Sequence, residues 1–155
     1  MPIKKILVPI DFSDNSKKAF DVACDLAYQL NTKICVLHAQ DESALRAAVK
    51  EGLLTRGSRD AELEAELELI NKIRFSEMLS KRDIGSLEVE YLYRRGNPGR
   101  EIVSYAEELN ANLIVMGTRG ATAMSRLMGA LLGSVTEHVI RRSLCPIVLV
   151  RYGQE

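Results

Sequence analysis

The chain has 155 residues, of which 46% are hydrophobic and 27% are charged, and its 21 lysines and arginines balance 21 aspartates and glutamates. This composition is typical of one globular domain over residues 1–155, and it excludes disordered, fibrous and membrane-spanning chains. A formal net charge of zero argues against a general polyanion binder, so we expect no nucleic-acid partner.

The chain also lacks the sequence signals of export and of membrane insertion. The segment before Ser13 has neither the long apolar region nor the small-residue cleavage site of a secretion signal. No stretch approaches the ~18 apolar residues of a membrane span. The three cysteines are odd in number and form no CxxC pair, which favours reduced, buried thiols. We therefore expect a cytoplasmic protein with no membrane partner.

Apolar strands alternate with amphipathic helices from the start of the chain. Residues 3–10 predict a buried central strand that ends at Pro9 and leaves the sheet near Asp11. A helix capped by Ser13 or Asp14 then extends to residue 30, and residues 33–39 predict a second buried strand. The buried face of this helix is expected to carry Ala19, Val22, Ala23, Leu26, Ala27 and Leu30.

The pattern weakens between residues 41 and 59, where Gly52 and Gly57 interrupt it, and this leaves open a flexible flap or a short helix. A long helix is predicted from Asp60 to Arg82, with its acidic half at the positive end of the helix dipole. Its expected core contacts are Leu63, Leu67, Ile70, Ile73 and Phe75.

Three more strands and two more helices follow. Residues 87–93 alternate apolar and polar, as in a strand near the edge of a sheet. Asn97 can cap a helix whose first residue is Pro98, where the missing N–H costs nothing. Residues 112–117 predict a fourth strand, 134–143 a helix and 145–150 a fifth strand.

This alternation predicts an α/β fold, a doubly wound five-stranded parallel sheet in the order 3-2-1-4-5 with helices on both faces. In that order strands 1 and 4 are neighbours whose chains leave in opposite directions, and ligands bind in the crevice beyond such a pair. Residues 9–11 and residues 117–120 follow these two strands. We therefore expect both segments at a ligand-binding crevice.

Glycines and a helix start favour an anion site in this crevice. Gly117 and Gly120 allow backbone N–H groups to approach a ligand closely. Gly133 and Ser134 immediately precede the last helix, whose free N–H groups and dipole favour an anion, and Ser134 and Thr136 add hydroxyl groups. The alternative is that the glycines form a turn and Ser134 an ordinary N-cap. The segment contains neither a Walker A motif nor a Rossmann fingerprint.

Three ordered segments resemble the universal stress protein family across nearly the whole chain: "ILVPIDFSDNSKKAF", "GNPGREIVSYAEELNANLIVMGTRG" and "GSVTEHVIRRSLCPIVLV". The nucleotide-binding members of that family carry G-x2-G-x9-G-S/T around the ribose and phosphates of ATP. The resemblance places Asp11 near the ribose and a phosphate-bound Mg or Mn ion, and it places the backbone of Ala39 at the adenine. The candidate nucleotide contacts are Pro9, Ile10, Asp11, Ala39, Met116, Gly117, Arg119, Gly120, Gly133, Ser134, Val135 and Thr136.

The chain departs from the family pattern in one respect. Twelve residues, 121–132, separate Gly120 from Gly133, where the pattern has nine. The three extra residues add at most about one helical turn, or little loop-closure entropy, so both glycine pairs can still meet at the phosphates. Alternatively, the longer segment closes the pocket.

The remaining titratable residues give no catalytic signature, and we assign no catalytic residue. His38 lies in a buried strand and is expected to be a core histidine, whereas His138 is expected at the surface. Two histidines so far apart in sequence indicate no metal site, and no GxSxG elbow supports a hydrolase.

The resemblance therefore implies an ATP-binding stress-response regulator, with ADP or AMP as other possible ligands and slow or no ATP hydrolysis. The apolar final strand, Cys145–Val150, favours a homodimer because an edge strand of this kind should be covered. The alternative function is a nucleotide-free dimeric interaction module, whose 121–132 segment closes the pocket and whose protein partner is unknown.

Overall fold

The computed structural model of the chain describes residues 2–52, 60–119 and 132–151. In these ranges five strands form one sheet in the order β3-β2-β1-β4-β5, and every neighbouring pair is parallel. The predicted strand order and fold class are confirmed. The strands are β1 (Lys5–Pro9), β2 (Lys33–Asp41), β3 (Val89–Gly96), β4 (Leu113–Gly117) and β5 (Ile147–Val150).

Five helices connect or follow these strands in the described ranges: α1 (Asp14–Leu30), α2 (Glu42–Lys50), α3 (Asp60–Ser80), α4 (Pro98–Leu109) and α5 (Ser134–Arg142). α2 shows that the first part of the ambiguous segment is a short helix, whereas residues 53–59 lie outside the described ranges.

The predicted caps are present. Ser13 Oγ accepts a hydrogen bond from Ser16 N, and Asn97 Oδ1 accepts one from Arg100 N.

The helices cover both faces of the sheet, as predicted. Phe20 of α1 and Phe75 of α3 belong to a core cluster on one face. Ile102 of α4 and Val139 of α5 belong to a second cluster on the other face. β1 and β2 contribute alternate residues to the two clusters, because successive strand side chains point to opposite faces. Both central strands are therefore buried on both sides.

Three predicted core contacts are wrong, since they are 44%, 46% and 51% exposed: Leu30, Ile70 and Ile73. The buried positions of α3 are Asn71, Phe75 and Met78, at 2%, 5% and 9% exposure, which follow the i, i+4, i+7 spacing of one helical face. Apolar residues occur around most of α3, so the sequence pattern alone did not identify this face. Asn71 is accommodated because its Nδ2 donates a hydrogen bond to Leu67 O at 2.8 Å.

Candidate functional site

A cavity of about 330 Å³ opens at the carboxyl ends of β1, β2 and β4. β1 and β4 are paired there, and the chain continues from β1 into α1 on one face and from β4 towards α5 on the other. This is the crevice that the strand order predicts. Gly120 lies outside the described residues, and the other eleven candidate residues line the cavity: Pro9, Ile10, Asp11, Ala39, Met116, Gly117, Arg119, Gly133, Ser134, Val135 and Thr136.

Two hydrogen bonds hold the two glycine bends together. Gly133 N donates to Thr118 O at 2.8 Å, and Thr136 Oγ1 donates to Gly117 O at 2.9 Å. The ends of the 119–132 segment therefore meet, whatever the path of the chain between them. The bends contact each other at the edge of the cavity even though the spacer is three residues longer than in the family pattern.

The N-terminus of α5 faces the cavity without a side-chain cap. Its N-cap is Gly133, which has no side chain to accept a hydrogen bond, whereas Ser13 and Asn97 cap α1 and α4. The first hydrogen bond within α5 is donated by Glu137 N to Gly133 O at 3.0 Å, so the three preceding amides have no partner in the helix. Such amides and the positive end of the helix dipole attract an anion.

Thr136 contributes differently from the sequence prediction. Its hydroxyl donates its proton to Gly117 O, and its side chain is 3% exposed. The backbone N–H of Thr136, rather than the hydroxyl proton, is therefore the group that remains for an anion. Ser134 is exposed and lines the cavity, so its hydroxyl stays a candidate donor.

A buried asparagine that the sequence analysis missed organises the start of the glycine-rich segment. Asn15, in the first turn of α1, is 3% exposed. Its Oδ1 accepts from Arg119 N at 2.9 Å, and its Nδ2 donates to Val150 O at 3.0 Å. A Cβ atom on Gly117 would overlap Asn15 Oδ1. Gly117 is thus required for this close approach rather than for a positive φ.

The loop after β1 orients Asp11. Its Oδ1 accepts hydrogen bonds from both the N–H and the hydroxyl of Ser13, and its own N–H donates to Ser16 Oγ at 3.3 Å. The next residue, Phe12, is buried and has φ of 63°, in the left-handed region that few aromatic residues adopt. Asp11 therefore both braces the start of α1 and lines the cavity.

A cluster of aromatic and charged residues borders the cavity on the β2 side. His38 is 6% exposed, as expected of a core histidine, and it also lines the cavity. Burial, assisted by the charge of Arg74, lowers the pKa of His38 to about 4, so its imidazole is neutral at pH 7. The rings of His38 and Phe12 meet edge to face at 5.0 Å between centroids, and Arg74 Cζ lies 4.2 Å from the centroid of Phe12.

Other cavity residues also escaped the sequence analysis, because no motif marks them: Ser16, Leu37, Gln40, Asp41, Arg74, Pro98 and Ile102. The prediction of a surface position for His138 is wrong in part. Its half-buried ring packs against the first turn of α4, where a Cβ on Gly99 would lie 2.8 Å from His138 Cδ2. His138 therefore helps to join α5 to α4.

In the part of the chain that the structure describes, no group of three or more His, Cys, Asp or Glu side chains could hold a metal ion. No helix of the described residues is long and apolar enough to cross a membrane. Cys24 and Cys35 are buried free thiols, and burial raises the pKa of Cys24 to about 11. These two cysteines are therefore packing residues.

Known proteins match this chain over nearly its whole length. The model of the universal stress protein family matches residues 2–151. Universal stress protein YxiE of Bacillus subtilis is 31% identical, over 95% of this chain and 98% of the relative. Universal stress protein MJ0577 of Methanocaldococcus jannaschii is 32% identical, over 96% and 94% respectively.

Solved structures give the same result. The structure of MJ0577 superposes with a TM-score of 0.80 over 100% of both chains, at 30% sequence identity. A universal stress protein from Archaeoglobus fulgidus, solved in complex with dAMP, has a TM-score of 0.61 over 97% of this chain and 99% of its own. At 23% identity that likeness concerns the fold alone. On the family match and the sequence identity to YxiE and MJ0577, the chain belongs to the universal stress protein family.

Proposed function

We propose that the protein binds ATP in the cavity and acts as a nucleotide-responsive stress regulator rather than as an efficient enzyme. The observation that carries the proposal is the contact between the two bends, Thr118 O to Gly133 N, beside the uncapped start of α5. The amides of the first turn of α5 and the positive end of its dipole lie there, which suits the phosphates of a nucleotide. A protein of the same fold from Archaeoglobus fulgidus was solved in complex with dAMP, so this fold can accommodate a nucleotide.

The charges around the cavity fit a phosphate chain with a bound divalent ion. Arg119 lies at the bend after β4 and adds positive charge to that of the α5 N-terminus. Asp11 lines the same cavity, with one carboxylate oxygen oriented by Ser13. A carboxylate in this position suits a Mg or Mn ion that arrives with the phosphates, because hard cations prefer oxygen ligands.

The other end of the cavity suits an adenine ring. Ile10, which follows β1, is a buried apolar residue that lines the cavity and is 4% exposed. Met116 of β4 is an apolar lining residue of the same exposure on the side of Gly117. Ala39, near the end of β2, lies at the β2 side of the cavity, away from α5. We place the base against Ala39 and the phosphates at Gly117, Gly133 and the first turn of α5.

Two titratable residues of the described cavity, His38 and Asp11, support slow or absent hydrolysis. A general base is most effective when its pKa lies near the working pH. His38 is a poor proton acceptor because its pKa is lowered to about 4. Asp11 already accepts two hydrogen bonds from Ser13. Binding and release of the nucleotide, rather than its turnover, would then carry the signal.

The experiment is calorimetry with ATP and Mg²⁺ on protein freed of copurified nucleotide. We expect saturable binding by the unchanged protein and a large loss in Gly133→Asp. Aspartate is a good N-cap and Gly133 has φ of −73°, so the helix should persist while the carboxylate repels the phosphates. The matched control is Ser86→Asp, which adds the same charge at an exposed position that does not line the cavity. No heat and no thermal shift at millimolar ATP would refute the proposal.

We also propose a homodimer through Cys145–Val150. β5 is an edge strand, and apolar side chains beside it are exposed, with Leu144 at 99%, Ile140 at 39% and Leu149 at 38%. An uncovered apolar edge favours pairing with another chain. Light scattering should give a dimer that Leu149→Lys converts to monomer. Leu30→Lys, a change at a leucine of similar exposure on α1, should leave the dimer intact.

The alternative function, a nucleotide-free interaction module, stays a prediction because residues 120–131 lie outside the described part of the chain. Deletion of three residues from the spacer distinguishes the two. The deletion should create nucleotide binding if the longer segment fills the pocket, and should leave or weaken existing binding otherwise.

A further inference from the structure

Among the arginines of the described residues, two line the cavity and five others make ion pairs away from it. Five of them make ion pairs and do not line the cavity: Arg46, Arg82, Arg94, Arg95 and Arg141. Arg74 and Arg119 line it, and among the described residues neither has a carboxylate within 4.0 Å. Arg119 belongs to the bend at the proposed phosphate site. Arg74 enters from α3 and has no role in that arrangement.

Arg74 is held at a defined place. Its guanidinium carbon lies 4.2 Å from the centroid of the Phe12 ring, and its Nη1 lies 3.5 Å from Asn71 Oδ1 on the same helix. Phe12 is itself buried and packs edge to face against His38. The ring that supports the guanidinium therefore cannot easily move.

This place is at the β2 side of the cavity. Phe12 follows β1 and contacts His38 of β2, whereas Gly117 and α5 belong to the β4 side, and β1 lies between β2 and β4 in the sheet. Arg74 thus borders the part of the cavity near Ala39. A phosphate chain at the α5 N-terminus would extend away from it.

A guanidinium in this setting suits a planar group better than a phosphate. It is flat and delocalised, it stacks on aromatic faces, and a residue with one face on a ring can present the other to a second flat group. We propose that Arg74 stacks on the base of the bound nucleotide, with Phe12 behind it, and so makes the cavity prefer nucleotides over bare polyphosphates. This inference rests on the proposed nucleotide binding and assigns one residue to the base.

The test compares two ligands and three variants, using calorimetry or competition. The ligands are ATP and inorganic tripolyphosphate, which carries the charge without the base. Arg74→Ala should weaken ATP binding by roughly five- to thirtyfold, the usual range for a lost stacking or cation–π contact. Its affinity for tripolyphosphate should not change. Arg74→Lys should not restore ATP affinity, because an ammonium keeps the charge but lacks the plane.

The control is Lys72→Ala, which removes a positive charge from an exposed position on the same helix and should alter neither affinity. If Arg74→Ala lost affinity for both ligands to the same extent, and Arg74→Lys restored both affinities, Arg74 would contact a phosphate and the inference would be overturned. Unchanged ATP affinity in Arg74→Ala would overturn it as well. Failure of the unchanged protein to bind ATP would instead refute the proposed function, and the base contact with it.

Discussion

Replacing His38 by glutamine should remove a specific part of the pH dependence of stability. The folded state holds the imidazole neutral, since burial lowers its pKa from 6.5 to about 4. As the pH falls below 6.5 the unfolded chain takes up a proton that the folded chain does not, so the free energy of unfolding decreases. The decrease continues until the pH reaches the folded pKa and then levels off.

The size of the effect follows from the shift. One pKa unit corresponds to about 1.4 kcal/mol, so the full effect is about 3 kcal/mol, and about 2 kcal/mol of it falls between pH 7 and pH 5. Over this interval most ordinary carboxylates stay ionised, which keeps their contribution small. His38 is 6% exposed, so solvent screening should reduce the effect little.

The assay is urea unfolding at pH 7 and at pH 5 for three proteins. The unchanged protein should lose about 2 kcal/mol more than His38→Gln between the two pH values. His138→Gln removes the only other imidazole of the chain and should lose as much free energy of unfolding between pH 7 and pH 5 as the unchanged protein. Equal pH dependence in the unchanged protein and His38→Gln would refute the reasoning, because it would mean that the folded protein accepts the proton at no cost.

Two further substitutions test the packing around the site. Gly117→Ala should destabilise the protein by roughly 1–3 kcal/mol in urea unfolding, because the new methyl group overlaps Asn15 Oδ1. In a double-mutant cycle Asn15→Ala should cost less in the Gly117→Ala background than in the unchanged protein, and strict additivity of the two changes would contradict the proposed overlap. Asn97→Ala should cost about 1 kcal/mol through loss of the cap on Arg100 N, and an unchanged free energy of unfolding would contradict the cap.

The sheet order and the helix caps could be predicted because their signals are local. Ser13 and Asn97 precede their helices directly, and the apolar runs of the central strands are short and uninterrupted. The crevice then followed from topology, since parallel strands in this order have only one place where neighbouring chains diverge to opposite faces. Glycines near that place favoured the prediction of an anion site there.

The residues that the sequence did not reveal depend on distant partners. Asn15 bonds to Arg119 and Val150, which are 104 and 135 residues away in sequence. Arg74 is one of two basic residues on α3, and only packing against Phe12 distinguishes it from Lys72. The buried face of α3 was mispredicted for the same reason, because apolar residues such as Ile70 and Ile73 occur on its exposed side.

The bond between Thr118 O and Gly133 N has a consequence for how the family can diversify. Because the bends are tied to each other, natural selection can lengthen or recode the chain between them at an entropic cost of only about 0.6 kcal/mol per doubling. Because the bends are joined without the intervening segment, that segment is also a suitable place to graft an epitope or a fluorescent reporter. A reporter placed there would leave the bond between the two bends in place.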